Sequence, residues 1–334
     1  TNIATTTPGQ YATATYNAVA GDSFSMAVTS AAQTSAVTSY GLYLIRPSGG
    51  VEAALGCETT QPGCELALRS VPETGTYTIQ VRPASDATMT GVLTIAPAVT
   101  GELALNTPTP LTLGAIGQAA NLSFSTTSAQ SLSLSLDDVT TVPANTSLYG
   151  YVINAANGFR VGPEISVTTG GSLNLPDLPP GAYFLWLRPV YPATTTLQMT
   201  LRSFFGDTSL GDGTPQDFIN LSPGQSGHYT FQAQAGDSVG VALTNIVATP
   251  PPNNFAGVIV YDPSGAVVRS DLCQYHRCTW VARNLPKTGT YRVRVEPYYS
   301  NLRLSATLTV AKAVTGTLTP DQPFNLTLDA PGRP

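Results

Sequence analysis

PGQSGHYTFQAQAGDSVGVALTNI, residues 223–246, folds back once about a central turn. In its first half Tyr229, Phe231 and Ala233 fall on one side, with His228, Thr230, Gln232 and Gln234 on the other. Apolar residues at a period of two mark a half-buried strand. The AGDS of Ala235 to Ser238 supplies a turn in which glycine takes positive φ freely. Residues 239–246 then return as a second strand. No stretch of the chain shows an apolar 3.6-residue period bounded by caps, so the reading is all-β.

The same punctuation recurs along the chain. Pro8-Gly9-Gln10, Ile116-Gly117-Gln118 and Pro223-Gly224-Gln225 place their glycines 108 and 107 residues apart, and Pro331-Gly332-Arg333 lies 108 further on. Seven residues after each of the first three glycines stands an aromatic: Tyr16, Phe124 and Phe231. AGDS occurs again at Ala20 to Ser23, and Val99-Thr100-Gly101 again at Val314-Thr315-Gly316. SYGLYLIRPSG, LYGYVINAANG and FAGVIVYDPSG each end in a hairpin turn. Tyr77, Tyr183 and Tyr291 each open a late strand after a Pro turn. A period this long exceeds the 20 to 50 residues of solenoid units and suits complete domains. The expected architecture is three tandem antiparallel β-sandwiches, jelly-roll or Ig-like, in an elongated array. Their bounds are 1–97, 98–206 and 207–312, and 313–334 is a linker with the start of a fourth. The Val-Thr-Gly segments read either as strands at the seams between units or as flexible joints.

Charged residues make up only 10% of the chain and the net charge is -5. Nucleic acid, which needs a concentrated basic face, is excluded as an expected partner. No run of 18 apolar residues occurs, so no membrane insertion is expected. The ends fall in turn-like stretches, and the chain reads as the middle of something longer.

Four cysteines form two close pairs at matching places in the first and third units: Cys57 with Cys64, and Cys273 with Cys278. Local disulfides are the favoured reading, each stapling the loop between two strands for about 2 kcal/mol. Zinc is the competing reading, but only His276 lies near either pair. Disulfides point to an extracellular, cell-surface or periplasmic location.

These motifs, from PGQ through YTF, AGDS, VIVYDPSG and LPKTGTYRVRVEP to ATLTV, resemble the bacterial pre-peptidase C-terminal (PPC) type of β-sandwich. The resemblance is closest to PPC-like repeats of large secreted or surface proteins, including some with RHS/YD repeats. It covers residues 1 to 310 and is weakest in the second unit. It implies an accessory, non-catalytic role: a spacer or presentation segment, with flanking domains of the whole protein, a glycan, the cell wall or another protein as partner. Some related sandwiches bind calcium.

Chemistry is sparse. His228, on the polar side of its strand, and His276 both read as solvent-facing, and neither has a nucleophile elbow. Glu52, Glu58, Glu65 and Glu73 fall mostly on loops and turns and form no catalytic pair. No cofactor is expected. Asp22 and Asp237 are either one arm of a calcium site or Asx-turn caps. The distinctive surface is DLCQYHRCTW, which places Tyr275, His276 and Arg277 at the tip of a disulfide-held loop with Trp280 just beyond, and the last-hairpin loop adds Tyr298, Tyr299 and Arg303. Tyr, Trp and Arg are the usual anchors of recognition. A carbohydrate-binding or adhesin role on the third unit is the second reading. Its alternative makes Trp280 and one tyrosine core residues.

Overall fold

A computed structural model of the chain describes residues 1–219, 223–251, 255–299, 301–323 and 325–334, with the backbone alone at 205–207. The described residues contain strands and turns and no helix. The first repeat supplies β1 (Asn2–Ala4), β2 (Ala12–Ala18), β3 (Phe24–Gln33), β4 (Ser39–Ile45), β5 (Val51–Glu58), β6 (Gly63–Leu68), β7 (Gly75–Arg82) and β8 (Met89–Pro97). After the connecting β9 (Val99–Glu102), the second supplies β10 (Pro108–Leu113), β11 (Ala120–Thr126), β12 (Gln130–Val142), β13 (Leu148–Asn154), β14 (Arg160–Val167), β15 (Gly171–Leu178), β16 (Gly181–Pro189) and β17 (Thr194–Ser203). After β18 (Phe205–Ser209), the third supplies β19 (Gln216–Ile219), β20 (Gly227–Ala233), β21 (Val239–Thr249), β22 (Phe255–Tyr261), β23 (Val267–Gln274), β24 (Cys278–Ala282), β25 (Gly289–Pro297) and β26 (Arg303–Lys312).

Strand order is the same each time. One sheet runs β1-β8-β3-β6, β10-β17-β12-β15 or β19-β26-β21-β24. The other runs β2-β7-β4-β5, β11-β16-β13-β14 or β20-β25-β22-β23. Eight strands in this double Greek key are a jelly roll. In the second and third repeats β9 and β18 add in parallel to the outside of β11 and β20. The Val-Thr-Gly at 99–101 is therefore a strand, whereas its copy at 314–316 is not. By compactness the chain divides in two: Thr1–Ala129 with Asp138–Thr169 and Leu178–Thr200, and Gln130–Asp137 with Gly170–Asp177 and Leu201–Pro334.

Alternation sets what is buried. Tyr40, Leu42 and Leu44 of β4 face Tyr77, Ile79 and Val81 of β7 and Phe24, Met26 and Val28 of β3 in one core. Tyr229, Phe231, Val258, Val260, Val293 and Val295 do the same in the third repeat. Phe124 stacks on Tyr183, and Phe231 on Tyr291, each with ring centroids 5.3 Å apart. Each late-strand tyrosine is fully buried except for its hydroxyl bond. Tyr77, Tyr183 and Tyr291 donate to the carbonyls of Glu73, Pro179 and Lys287, four residues upstream, at 2.9, 2.7 and 2.7 Å. This is a tyrosine corner, and it explains the Pro-turn-then-Tyr pattern. The long strands β3, β12 and β21 all turn left-handed at one place, Ser30, Asp138 and Asn245, with φ of 51°, 54° and 53°. In β3 and β21 this is a bulge, where the ladder shifts register.

Disulfides join Cys57 to Cys64 and Cys273 to Cys278, with Cα separations of 5.6 and 5.2 Å. Each ties an edge strand of one sheet to an edge strand of the other. In the second repeat, buried Val167 stands opposite Leu148 as Cys57 stands opposite Tyr40, so packing replaces the staple there.

Two hairpin corners carry opposite charge. In the first repeat Ser48 donates to Glu73 at 2.8 Å, and Arg46 pairs with Glu52 at 2.5 Å. In the third, buried Asp262 accepts from Ser264 and Ala266 and pairs with Lys287 at 2.8 Å.

The Pro-Gly-Gln marker is a shared turn. The fourth residue donates to the first, Gln10 to Thr7, Gln118 to Ala115 and Arg333 to Ala330, at 3.1, 3.0 and 3.2 Å. Gly9, Gly117, Gly224 and Gly332 have φ of 71°, 75°, 76° and 74°. Beyond the first copy, each turn rests on strands of the preceding repeat. A Cβ at Gly117 would lie 2.8 Å from the Ala27 Cβ and 3.3 Å from Glu65 Oε2. Asn174 Nδ2 donates to Gly224 O at 2.8 Å, its Oδ1 accepts from Ser226 N at 3.2 Å, and Ser172 donates to Pro223 O. A Cβ at Gly332 would lie 3.0 Å from the Ala242 Cβ. Ala27 and Ala242 hold the same register in β3 and β21, one residue before Val28 and Leu243, which face Cys64 and Cys278. The fourth residue's side chain completes the contact. Gln118 Nε2 donates to Pro97 O at 2.9 Å, and Arg333 Nη1 to Lys312 O at 3.0 Å. The first seam also holds an apolar cluster of Ala98, Ala119, Ile153 and Trp186, with Ala67 and Tyr151 against it.

Candidate functional site

In the loop after β23 the disulfide sets a tight turn. Tyr275 takes φ of 67° and is 76% exposed. Ile246 N donates to the carbonyl of exposed His276 at 3.1 Å, which holds the loop against the bulge of β21. His276 and Arg277 line an open cleft of about 550 Å³ with Thr244, Asn245, Ile246 and Val247. Asn245 Nδ2 reaches Thr307 Oγ1 at 3.3 Å, and that hydroxyl donates to Asp217 at 2.9 Å. The cleft thus offers an imidazole, a guanidinium, an amide and an exposed valine.

The other expected residues divide. Trp280 belongs to the core: it lies on β24, 7% exposed, with Arg269 5.3 Å over its ring. It is two residues from Cys278, so the strand's alternation turns it inward. Tyr298 and Tyr299 are 54% and 44% exposed and meet edge to face at 4.7 Å. Phe255 packs on Tyr298 at 6.0 Å and faces Gln274, the neighbour of Tyr275, across the ladder. Arg303 opens β26 opposite Thr249, on the other sheet.

Asp22 and Asp237 close their turns from the other side than an Asx-turn would. Asp22 accepts from Val19 N at 2.8 Å and Asp237 from Gln234 N at 2.9 Å, three residues upstream in each case. That amide bond, followed by Lys312, holds the Asp237 carboxyl below its usual range. Among the described residues no cluster of three His, Cys, Asp or Glu side chains is placed to hold a metal ion.

His228 is buried rather than solvent-facing, because Phe204 covers it edge to face at 4.4 Å. Burial, reinforced by Arg292, pushes its imidazole down to about 4, so it is neutral at ordinary pH. Glu65, on β6 rather than a loop, is buried at the first seam. Arg188 Nη1 lies 3.9 Å from it, and neither carboxylate oxygen accepts a hydrogen bond among the described residues. Burial pushes this carboxyl up to about 8, with Arg188 pulling the other way.

One surface was missed from the sequence. On the outer face of β4, β5 and β7, an open groove of about 450 Å³ is lined by Gly41, Tyr43, Leu55, Gly56, Arg82 and their neighbours. Gly41 and Gly56 face each other across the ladder and form its floor. Arg82 lies 3.9 Å over Tyr43 and 4.8 Å over Tyr11, and donates twice to Gln80. Arg188 over Tyr149 and Arg292 over Tyr261 repeat the pairing in the other repeats.

No family model and no curated protein matches the chain. Among solved structures it is aligned with the M60 catalytic domain and CBM51-1 and CBM51-2 domains of Clostridium perfringens ZmpB, at 9% identity and a TM-score of 0.19. The alignment covers 91% of this chain and 34% of that one, so this chain spans about a third of its length. A likeness this loose carries no argument about function. No helix of the described residues is long and apolar enough to cross a membrane.

Proposed function

We propose that the chain is a non-catalytic structural module: three PPC-like repeats, 1–97, 98–206 and 207–312, acting as a spacer or presentation segment of a large exported bacterial protein. The repeated docking of one turn supports this reading. The same glycine conformation meets the preceding repeat's outer face at Gly117, Gly224 and Gly332. A device used three times is what serial assembly requires. The two disulfides fit an extracytoplasmic location. Pulling the chain between terminal handles should give three unfolding steps, each releasing on the order of 300 Å of contour length. Two unequal steps, or one, would count against three domains.

A second reading, carbohydrate binding on the third repeat, has its own support. Tyr275 and Tyr298 expose aromatic faces on one side of the loop whose His276 and Arg277 line the cleft. On a glycan array, Tyr275→Ala and Tyr298→Ala should each cut binding by roughly tenfold. No binding by the unaltered chain would end this reading.

A further inference from the structure

We propose that the groove on the outer face of the first repeat binds an acidic sugar, with the sugar's carboxylate on Arg82 and Tyr43 and its hydroxyls toward Glu58. The ladder sets three rows across this face. Tyr43 stands opposite Gln80 and Ala54, Gly41 opposite Arg82 and Gly56, and Ser39 opposite Glu58. In the middle row Arg82 carries the one side chain, so a ligand ring can lie directly on backbone. A Cβ added at Gly56 would meet nothing within 4 Å. Above Gly41 stands the Tyr43 hydroxyl, 3.3 Å from where a Cβ would be. Arg82 lies 3.9 Å over the Tyr43 ring and donates from Nε and Nη2 to Gln80 Oε1, at 3.0 and 2.7 Å. Among the described residues its Nη1 has no acceptor and no carboxylate pairs with it. A guanidinium edge beside a hydroxyl suits a carboxylate, the acceptor that arginine bonds most strongly.

The next row sets the rest of the ligand. Glu58 follows Gly56 by two residues on the same face and accepts from the Thr38 hydroxyl at 2.6 Å. A carboxylate there calls for donors, which sugar hydroxyls are, and it repels a simple polyanion. Leu55, Pro83 and Ala84 line the groove for the C–H face of a sugar ring. The other repeats close the same place. In the second, Tyr149 stands where Gly41 does, and Arg188 opposite it pairs with Glu65 at 3.9 Å. In the third, Glu296 replaces Arg82, pairs with Arg294 at 3.1 Å, and covers Gly257 with its Cγ 3.1 Å from an added Cβ. Leu272 stands there where Gly56 does. An open glycine floor beside an unpaired guanidinium is therefore a property of the first repeat and not of the fold.

Isothermal titration calorimetry of the full chain with a tetrasaccharide of glucuronic acid tests this. The comparison ligands are the same saccharide with its carboxyls reduced to alcohols, and a tetraglutamate peptide. The acidic saccharide should bind, and the reduced saccharide and the peptide should each bind roughly tenfold more weakly or not at all. Arg82→Gln and Gly56→Val should each weaken binding of the acidic saccharide by roughly tenfold. Gly56→Val fills the floor where a side chain meets no neighbour, so its circular dichroism and urea midpoint should match those of the unaltered chain. The proposal is overturned if the unaltered chain does not bind the acidic saccharide, or binds either comparison ligand as well. It is also overturned if both variants bind as the unaltered chain does, and weakening by Tyr275→Ala alone would place the binding on the third repeat instead. The spacer reading does not depend on this site and is tested separately by the force steps.

Discussion

Gly117→Val should destabilise the chain by about 3 kcal/mol. Two effects add. A β-branched residue at φ of 75° is strained by about 1–3 kcal/mol. The new Cβ would also lie 2.8 Å from Ala27, and overpacking of that kind costs about 1–3 kcal/mol. Gly49→Val separates the two. Gly49 has φ of 92° with nothing within 4 Å of an added Cβ, so that variant carries strain alone. Urea unfolding gives the two costs. Hydrogen exchange gives the location, because Val99 N and Leu103 N bond to Ala119 O and Ser123 O beside the turn. Equal losses in both variants, with no change in exchange at Val99, would show that Gly117 does not hold the seam.

The second large effect is on pH. The Glu65 carboxyl is raised from its ordinary value near 4.5 to about 8. A raised carboxyl binds its proton more tightly folded than unfolded, so its contribution is full below about 4.5 and is lost as pH rises through about 8. Burying the charge costs several kcal/mol, and Arg188 at 3.9 Å with no hydrogen bond compensates only partly. Glu65→Gln should therefore match the unaltered chain at pH 4 and exceed it clearly at pH 9. Unfolding midpoints across that range decide it. His228 gives the opposite slope: its imidazole is depressed to about 4, so its contribution is full above about 6.5 and falls as pH drops through 4. Parallel profiles for Glu65→Gln and the unaltered chain would overturn the assignment.

Period-two alternation was enough to find the strands, because it is local. The jelly-roll order was not legible, since it depends on which distant strands pair. The role of the marker was hidden for the same reason: Gly117 needs its φ for the turn, but the space it fills is set by Ala27 of another repeat. Trp280, just beyond the loop tip in sequence, is a core residue because β24 begins at Cys278 and its alternation turns Trp280 inward. His228 sits on the polar side of its strand as read, yet Phe204 buries that side too. Tyr275, Tyr298 and Tyr299 are exposed, as residues on loop tips are. The groove over Gly41 and Gly56 escaped notice because glycines were read only as turn formers.

The reversed charges at the hairpin corners bear on how a chain of look-alike repeats folds correctly. Neighbouring copies can trade equivalent hairpins during folding, and such misassembly is characteristic of repeat proteins. If the first and third repeats exchanged theirs, Glu73 would meet Asp262, and Lys287 would come to the Arg46 corner, replacing attraction with repulsion. The divergent second repeat stands between them in sequence. The polarity of one short corner thus labels each hairpin with the repeat to which it belongs.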